Sequence, residues 1–410
     1  MSDPTREAAF DLLTAVLEQH RPLEEALDAL PPIEPRDRAA AHRIAASVLR
    51  RAGSLDAVLD PLLRRAPPAA VRLILRLGAA QLVLLDTPAH AAVTTSVALA
   101  RARGLAPFAG LVNAVLRRVA NAGPSVLEEL DGPRLDTPSW LWASWGADAR
   151  VIAQAHGREA PLDLTLRSDA SVPDGELLPT GSVRLPAGGR LADLPGFAEG
   201  AFWVQDAAAA LPAALLQVRA RERVADLCAA PGGKAAQLAM AGATVFAIER
   251  DPVRLERLAE NFARLRLTAT LVLADALTWR PDVLLDAVLL DAPCSATGTI
   301  RRHPDVPFLK RPRDVETLVP QQQALIVAAA AMLRPGGRLV YAVCSLQPEE
   351  GPGQMEAAAR AGLHHDPILP HELAAVPEAL TSDGCLRTHP GLWPERGGMD
   401  GFFAARFLKP

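Results

Sequence analysis

The chain has 410 residues, half of them hydrophobic, and a formal charge of −4; that is enough for two or three domains with sizeable cores, and the charge balance neither demands nor forbids an anionic partner. Residues 1–29 lack the continuous apolar core of a signal peptide, and no apolar run reaches the roughly 20 residues of a membrane helix, the nearest, 73–85, being interrupted by Arg76. Cysteines at 228, 294, 344 and 385 match neither a metal-binding spacing nor a secreted disulfide framework, so a cytoplasmic protein with free thiols, no metal and no membrane partner is expected.

Residues 1–130 read as all-helical. Residues 4–19 set Ala8, Leu12, Ala15 and Val16 on one face, the spacing of an amphipathic helix. Further helices fit 36–51, 69–85, 91–103 and 108–120, with prolines and glycines between them. Only Lys234, Lys310 and Lys409 among the 43 basic residues are lysines, and arginine's planar fork suits phosphate better than a point charge does. Between 36 and 118 there are 13 arginines against Asp37, Asp56, Asp60 and Asp86, a net of +9. So one-sided a stretch in a nearly neutral chain points to an anionic partner, with RNA the leading candidate.

Residues 131–205 read as a connector. Trp140, Trp142 and Trp145 fit core packing, and from 161 onward short extended pieces at 162–166 and 182–185 are broken by proline and glycine. The stretch is too short to expect a core of its own. From 206 the pattern alternates: 223–227, 244–249, 269–273, 287–290 and 338–343 read as buried strands, with helices at 252–265 and 321–333. That is the layout of an open α/β sheet, which binds ligands beyond the carboxyl ends of its strands.

The first of these strands runs into Asp226-Leu227-Cys228-Ala229-Ala230-Pro231-Gly232-Gly233-Lys234 and then a helix. Glycines there let backbone approach a ligand, and the helix start offers free N–H groups. The second strand ends in Glu249, able to accept both hydroxyls of a ribose, and the third is followed by Asp275, within reach of an adenine amino group. Each acid alone reads as a loop or cap residue; three such signals on successive strand ends point to a nucleoside-bearing cofactor. A nicotinamide is disfavoured because G-x-G-x-x-G is absent, and a Walker-type phosphate loop because Lys234 is followed by Ala235.

The fourth strand leads into Asp291-Ala292-Pro293-Cys294-Ser295, and the fifth carries Tyr341-Ala342-Val343-Cys344-Ser345. A single cysteine near a strand is usually a small buried apolar residue; two on neighbouring strand ends of a donor-binding sheet suggest covalent catalysis. Chemistry alone leaves open which thiol attacks.

The segments 226–234, 291–298 and 341–345 resemble the motifs of the Nol/Nop/Sun family of RNA cytosine-5 methyltransferases, and 399–407 is similar to that family's last strand. Val112-Asn113-Ala114-Val115-Leu116-Arg117 resembles a NusB-like RNA-binding domain, and the combination resembles the bacterial RsmB-like (Fmu/Sun) branch, which modifies small-subunit rRNA. The resemblance implies three parts: an all-α NusB-like domain over 1–130, a small α/β connector over 131–205, and an α/β Rossmann-like S-adenosylmethionine-dependent methyltransferase domain over 206–410. It implies that Cys344 is the attacking thiolate and that Cys294 assists product release, the catalytic set being completed by Asp291, near ring N3, and Lys234. Cys228, Ala229, Ala230, Pro231, Gly232, Gly233, Lys234, Glu249, Asp275 and Asp291 would line the donor pocket.

Departures from the family pattern are Glu249 where aspartate is commoner, Val343 where threonine precedes the nucleophile, Gly351-Pro352-Gly353 at an expected helix start, and a short 161–205 stretch. Arg301, Arg302, Lys310, Arg311 and Arg313 against Asp305 alone, with His303 among them, read as a phosphate-gripping loop that positions an exposed or flipped base. Two other readings stand beside this one: a methyltransferase acting on DNA, protein or a small molecule, and a non-catalytic RNA-binding assembly factor. The basic helical region and the second cysteine weigh against the former; the intact pocket acids and both thiols weigh against the latter. Oligomeric state is not legible.

Overall fold

Asp3 starts the first helix, α1 (Pro4–Leu17), by accepting the Arg6 amide at 3.2 Å, and the proline at its first turn loses no hydrogen bond there. The structure, a computed structural model, describes residues 3–167, 174–188 and 191–410. It comprises two units, Met1–Arg158 with Ile300–Arg311, and Glu159–Thr299 with Pro312–Pro410.

In the first unit α1 is followed by α2 (Leu23–Asp28), α3 (Pro35–Arg50), α4 (Ala52–Leu59), α5 (Ala69–Val83), α6 (Ala89–Ala102) and α7 (Ala109–Ala122). The centre is α5, whose Leu73, Ile74, Leu75, Leu77, Ala79 and Ala80 are buried and which packs against α1, α3, α4, α6 and α7. A charge is tolerated on it because Arg76 makes a two-pronged pair with Asp56 at 2.9 and 2.5 Å. Three short helices, α8 (Gly132–Leu135), α9 (Ser139–Trp145) and α10 (Ala149–His156), complete the unit. Asp136 fastens them to α4 by accepting from the Ser54 amide and hydroxyl, both at 2.7 Å, and from Arg51 Nε at 2.8 Å. The helical unit therefore runs past residue 130. Of the three tryptophans, Trp145 is buried edge-on to His156, whereas Trp142 is half-buried with the Arg134 and Arg150 guanidinium groups over its ring.

Ile300–Arg311 also belongs to this unit, so the stretch expected as a loop is in part packed. Phe308 and Leu309, from the short helix Val306–Leu309, pack against the helical core. Arg301 is 1% exposed and its carbonyl accepts from Arg50 Nη2 at 3.0 Å, while the buried Asp305 carboxylate accepts the Leu23 amide at 2.8 Å. Apolar side chains in the stretch pull it inward, so of its basic side chains only His303, Arg311 and Arg313 are exposed.

The second unit begins with β1 (Leu162–Leu166), β2 (Glu176–Leu177), β3 (Val183–Leu185) and β4 (Phe202–Val204), an antiparallel sheet ordered β2-β3-β1-β4. Against expectation it has a small core, Leu164, Val183, Leu185 and Phe202, and a buried Arg184–Asp163 fork at 2.6 and 2.7 Å. Residues 168–173 and 189–190 of the stretch read as broken extended pieces lie outside the described residues.

The main sheet uses β5 (Arg223–Leu227), β6 (Thr244–Glu249), β7 (Thr270–Leu273), β8 (Leu285–Asp291), β9 (Leu333–Val343), β10 (His364–His365), β11 (Leu386–Arg387) and β12 (Phe403–Leu408). The order is β10-β12-β9-β8-β5-β6-β7, with β5 to β9 parallel, β12 antiparallel and β11 paired to β12. Helices α11 (Leu211–Leu215), α12 (Gly233–Met240), α13 (Pro252–Leu265), α15 (Pro312–Met332) and α16 (Met355–Arg360) accompany it, α14 being Val306–Leu309 of the other unit. Alternation along the strands feeds two cores: Val224, Ala247, Leu289 and Val340 on one face, Ala225, Ile248, Val288 and Leu339 on the other. Two strand and helix expectations are adjusted. β7 is the sheet's edge and only half-buried, and α15 starts nine residues before 321 because it carries Pro320 inside it.

From β5 the chain builds outward through β6 and β7, then returns to the other side with β8 and β9. Between β5 and β8 the winding reverses, and the crevice at such a switch point is where an open α/β sheet binds its ligand. No described helix is long and apolar enough to cross a membrane.

Candidate active site

Three strand ends form one wall of a cleft of about 370 Å³, lined by Cys228 after β5, Ile248 and Glu249 ending β6, and Asp275 to Leu277 after β7, with Pro293 and Leu325 opposite. Its size suits a nucleoside. Glu249 is 3% exposed; its Oε1 accepts the Arg250 and Asp251 amides at 2.9 and 3.0 Å, and Oε2 has no hydrogen bond, Arg254 Nη1 standing 3.5 Å away. A buried carboxylate with one acceptor open is what a ribose diol requires. Asp275 is exposed, and its Oδ1 is taken by the Leu277 amide at 2.8 Å, so it serves the turn as well as the cleft.

Ala229, Ala230, Pro231, Gly232 and Gly233 make the turn from β5 into α12. Gly232 has φ 105°, a conformation costly for any residue with a Cβ. Arg254 Nη2 and Asn261 Nδ2 hold the turn by donating to the Ala230 and Pro231 carbonyls at 2.8 and 3.0 Å. Burial, and then the Asp226, Asp291 and Glu249 carboxylates, push the Cys228 thiol up to about 12. It is a wall residue that stays protonated.

Beyond the turn Lys234 Nζ donates to Asp291 Oδ2 at 2.7 Å and lies 5.0 Å from the Phe402 ring centre. Burial disfavours the ammonium, yet Asp291, with Cys344 and Asp226 adding to it, raises its pKa above the usual lysine value. Asp226, 1% exposed with neither carboxyl oxygen hydrogen-bonded, is pushed up to about 8 by burial and then by Asp291 and Glu249, against Lys234. At neutral pH it is the uncharged member of the acid cluster.

The two cysteines meet. Asp291 on β8 is in register with Ala342 on β9, and the chains continuing from them bring Cys294 Sγ to 3.4 Å from Cys344 Sγ. The Gly298 amide donates to the Cys344 carbonyl at 3.0 Å, and a Cβ on Gly298 would stand 2.0 Å from the Gly401 carbonyl oxygen, so no larger residue fits. The contact with Cys344, then burial, then the charges of Cys344 and Glu350, raise the Cys294 thiol well above its ordinary value.

Several residues of this centre escape sequence reasoning. Arg387 donates to the Ser345 and Leu346 carbonyls at 2.9 and 2.6 Å, and Gln322 to the Pro293 carbonyl at 2.9 Å. Nothing local marks either of them. Phe402, and Pro293 beside Cys294, lie within the family-like motifs and were open to discovery there. Among the described residues no cluster of three or more His, Cys, Asp or Glu side chains could hold a metal.

Residues 213–408 match the family model described as 16S rRNA methyltransferase RsmB/F, and residues 3–121 match the NusB family. A ribosomal RNA small subunit methyltransferase B from Xanthomonas campestris pv. campestris is 39% identical, with 86% of this chain and 87% of that protein covered. The chain belongs to this methyltransferase family. A family member from Sodalis glossinidius bearing the same name is 34% identical over 98% of this chain and 97% of its own length. The solved structure of PH0851 shares the fold, with a TM-score of 0.76 at 22% identity over 100% of this chain and 99% of that one. S-adenosylmethionine is the methyl donor, and the residues present fit it: an open ribose acceptor on Glu249, a nucleoside-sized cleft and a glycine turn leading into α12.

Proposed function

We propose that this chain methylates carbon 5 of cytosine in small-subunit ribosomal RNA, with Cys344 as nucleophile and Cys294 as the thiol that assists release. The observation that carries the reading is the pair of sulfurs 3.4 Å apart at the ends of adjacent strands, beside the Lys234–Asp291 pair. Cytosine carbon 5 is too poor a nucleophile to take a methyl group directly. The Cys344 thiolate adds to ring carbon 6, and the electron pair displaced from the C5–C6 double bond makes carbon 5 enamine-like. Asp291 sits against ring N3, and the Lys234–Asp291 pair passes a proton to N3 as negative charge develops there, to be returned when the ring re-forms. The donor supplies the methyl group to carbon 5. A base then takes the carbon-5 proton, the C5–C6 double bond re-forms, and the C6–S bond breaks to return the Cys344 thiolate. Cys294, which keeps its proton while Cys344 attacks, assists this last stage from 3.4 Å away.

The substrate assignment is supported by the names of the relatives and by the NusB match over 3–121. In this reading residues 1–130 bind RNA, 206–410 carry the chemistry and 131–205 connect them. Arg36, Arg43, Arg64, Arg65, Arg101 and Arg118 are exposed with no ion-pair partner among the described residues, as backbone phosphate contacts require. The deciding experiment maps 5-methylcytosine by bisulfite sequencing of cellular rRNA with and without the protein. Loss of one small-subunit site, restored by the wild type and not by Cys344→Ala, is expected; an unchanged map contradicts the reading.

A further inference from the structure

Behind the two thiols lies a carboxylate with no role in the chemistry above. Glu350 is 0% exposed. Its Oε1 accepts from the Ser295 amide at 2.9 Å and Gln322 Nε2 at 3.0 Å; its Oε2 accepts from the Ser295 and Ser345 hydroxyls, both at 2.5 Å. Ser295 directly follows Cys294, and Ser345 directly follows Cys344. Four donors on two oxygens match an acceptor-only carboxylate.

The surroundings reinforce the tie. Thr297 Oγ1 accepts the Leu346 amide and Ser345 Oγ the Gln347 amide, each at 3.0 Å, and Tyr341 donates its hydroxyl to the Glu350 carbonyl at 2.6 Å. A buried carboxylate fully supplied with donors and lacking a cation is costly to maintain unless its charge or its shape is used.

We propose that Glu350 is the positioning residue of the two-thiol centre: its carboxylate ties the chain after Cys294 to the chain after Cys344, and its negative charge beside that chain disfavours the Cys294 thiolate. This rests on the two-thiol reading above. The raised position of Cys294, to which the Glu350 charge contributes, agrees with it. Glu350 is not itself among the residues that line the cleft.

The alkylation test needs no RNA and so separates this proposal from the substrate assignment. Wild type and Glu350→Gln are alkylated with iodoacetamide over a pH series, and the rates at Cys294 and Cys344 are read by peptide mass spectrometry. In the wild type Cys294 reacts only at high pH; Glu350→Gln is expected to lower the midpoint of its profile by about one unit, a roughly tenfold gain in thiolate at a given pH. A merely structural role would leave that midpoint in place, and an unmoved midpoint overturns the proposal. If Glu350→Gln fails to fold, Ser345→Ala carries the test, since it removes one tie and leaves the charge. It should slow methyl transfer about tenfold, the cost of one charge-assisted hydrogen bond, while the Cys294 profile stays put. Unchanged transfer overturns the tie, and a shifted profile overturns the role of the charge.

Discussion

Lys234 Nζ and Asp291 Oδ2 are 2.7 Å apart, with 12% and 27% of their side chains exposed, so these two charges act as one pair. The pair stands at the carboxyl ends of β5 and β8, where the sheet's winding reverses. Removing one partner strands the other beside Asp226. Lys234→Met is expected to lower single-turnover methyl transfer by roughly 100-fold, within the range of a lost acid–base or orienting group. It should also cost about 2 kcal/mol in urea unfolding, less than a fully buried pair because Asp291 is partly wet. Unaltered transfer would remove Lys234 from the catalytic set.

Glu249 has a buried acceptor, Oε2, with no hydrogen bond of its own, open to a ribose hydroxyl of the donor in the proposed reading. Glu249→Ala should weaken binding of S-adenosylhomocysteine by roughly 10- to 100-fold, the worth of hydrogen bonds to a charged acceptor. Glu249→Asp, one methylene shorter, should lose less. Titration calorimetry measures both directly.

Asp226 gives the unliganded protein a defined pH response. Its folded value, about 8, lies above the ordinary aspartate value of 3.8, so between these limits the folded state binds a proton that the unfolded chain does not. The resulting stability is fully present below about pH 4 and is lost as pH rises through 8. Asp226→Asn should flatten this part of the profile and be relatively most stabilising above pH 8, as read by denaturant midpoints from pH 5 to 9. A wild-type curve indifferent to the substitution would mean that the carboxyl is charged throughout.

The exposed arginines of the helical unit are expected to set the salt dependence of RNA binding. Replacing Arg64, Arg65, Arg101 and Arg118 together by alanine should reduce the slope of log affinity against log salt by about three, near 0.7–0.9 for each phosphate no longer neutralised. An unchanged slope would move the RNA surface elsewhere.

What the sequence made legible was local. The run from Asp226 to Lys234 announces a strand, a glycine turn and a helix within nine residues, and Glu249 and Asp275 fall at strand ends that periodicity alone locates. The two-cysteine pattern was visible as motifs, but the 3.4 Å contact depends on the parallel β8–β9 register, which spacing does not give. Glu350 and Arg387 were hidden for the same reason, since each acts through partners about 40 or more residues away. In 301–313 the burial of Arg301 in the helical unit was not legible, because charge was weighed above the interspersed apolar residues.

The central claim is that Cys344 bonds to the base and Cys294 lets it go. Cys294→Ala, Cys344→Ala and the double variant, each incubated with rRNA and S-adenosylmethionine and run on a denaturing gel, test it most directly. A covalent RNA–protein band from Cys294→Ala alone is expected, with the cross-linked peptide containing Cys344. A band from Cys344→Ala and none from Cys294→Ala would reverse the two roles, and no band from any of them would contradict the covalent mechanism.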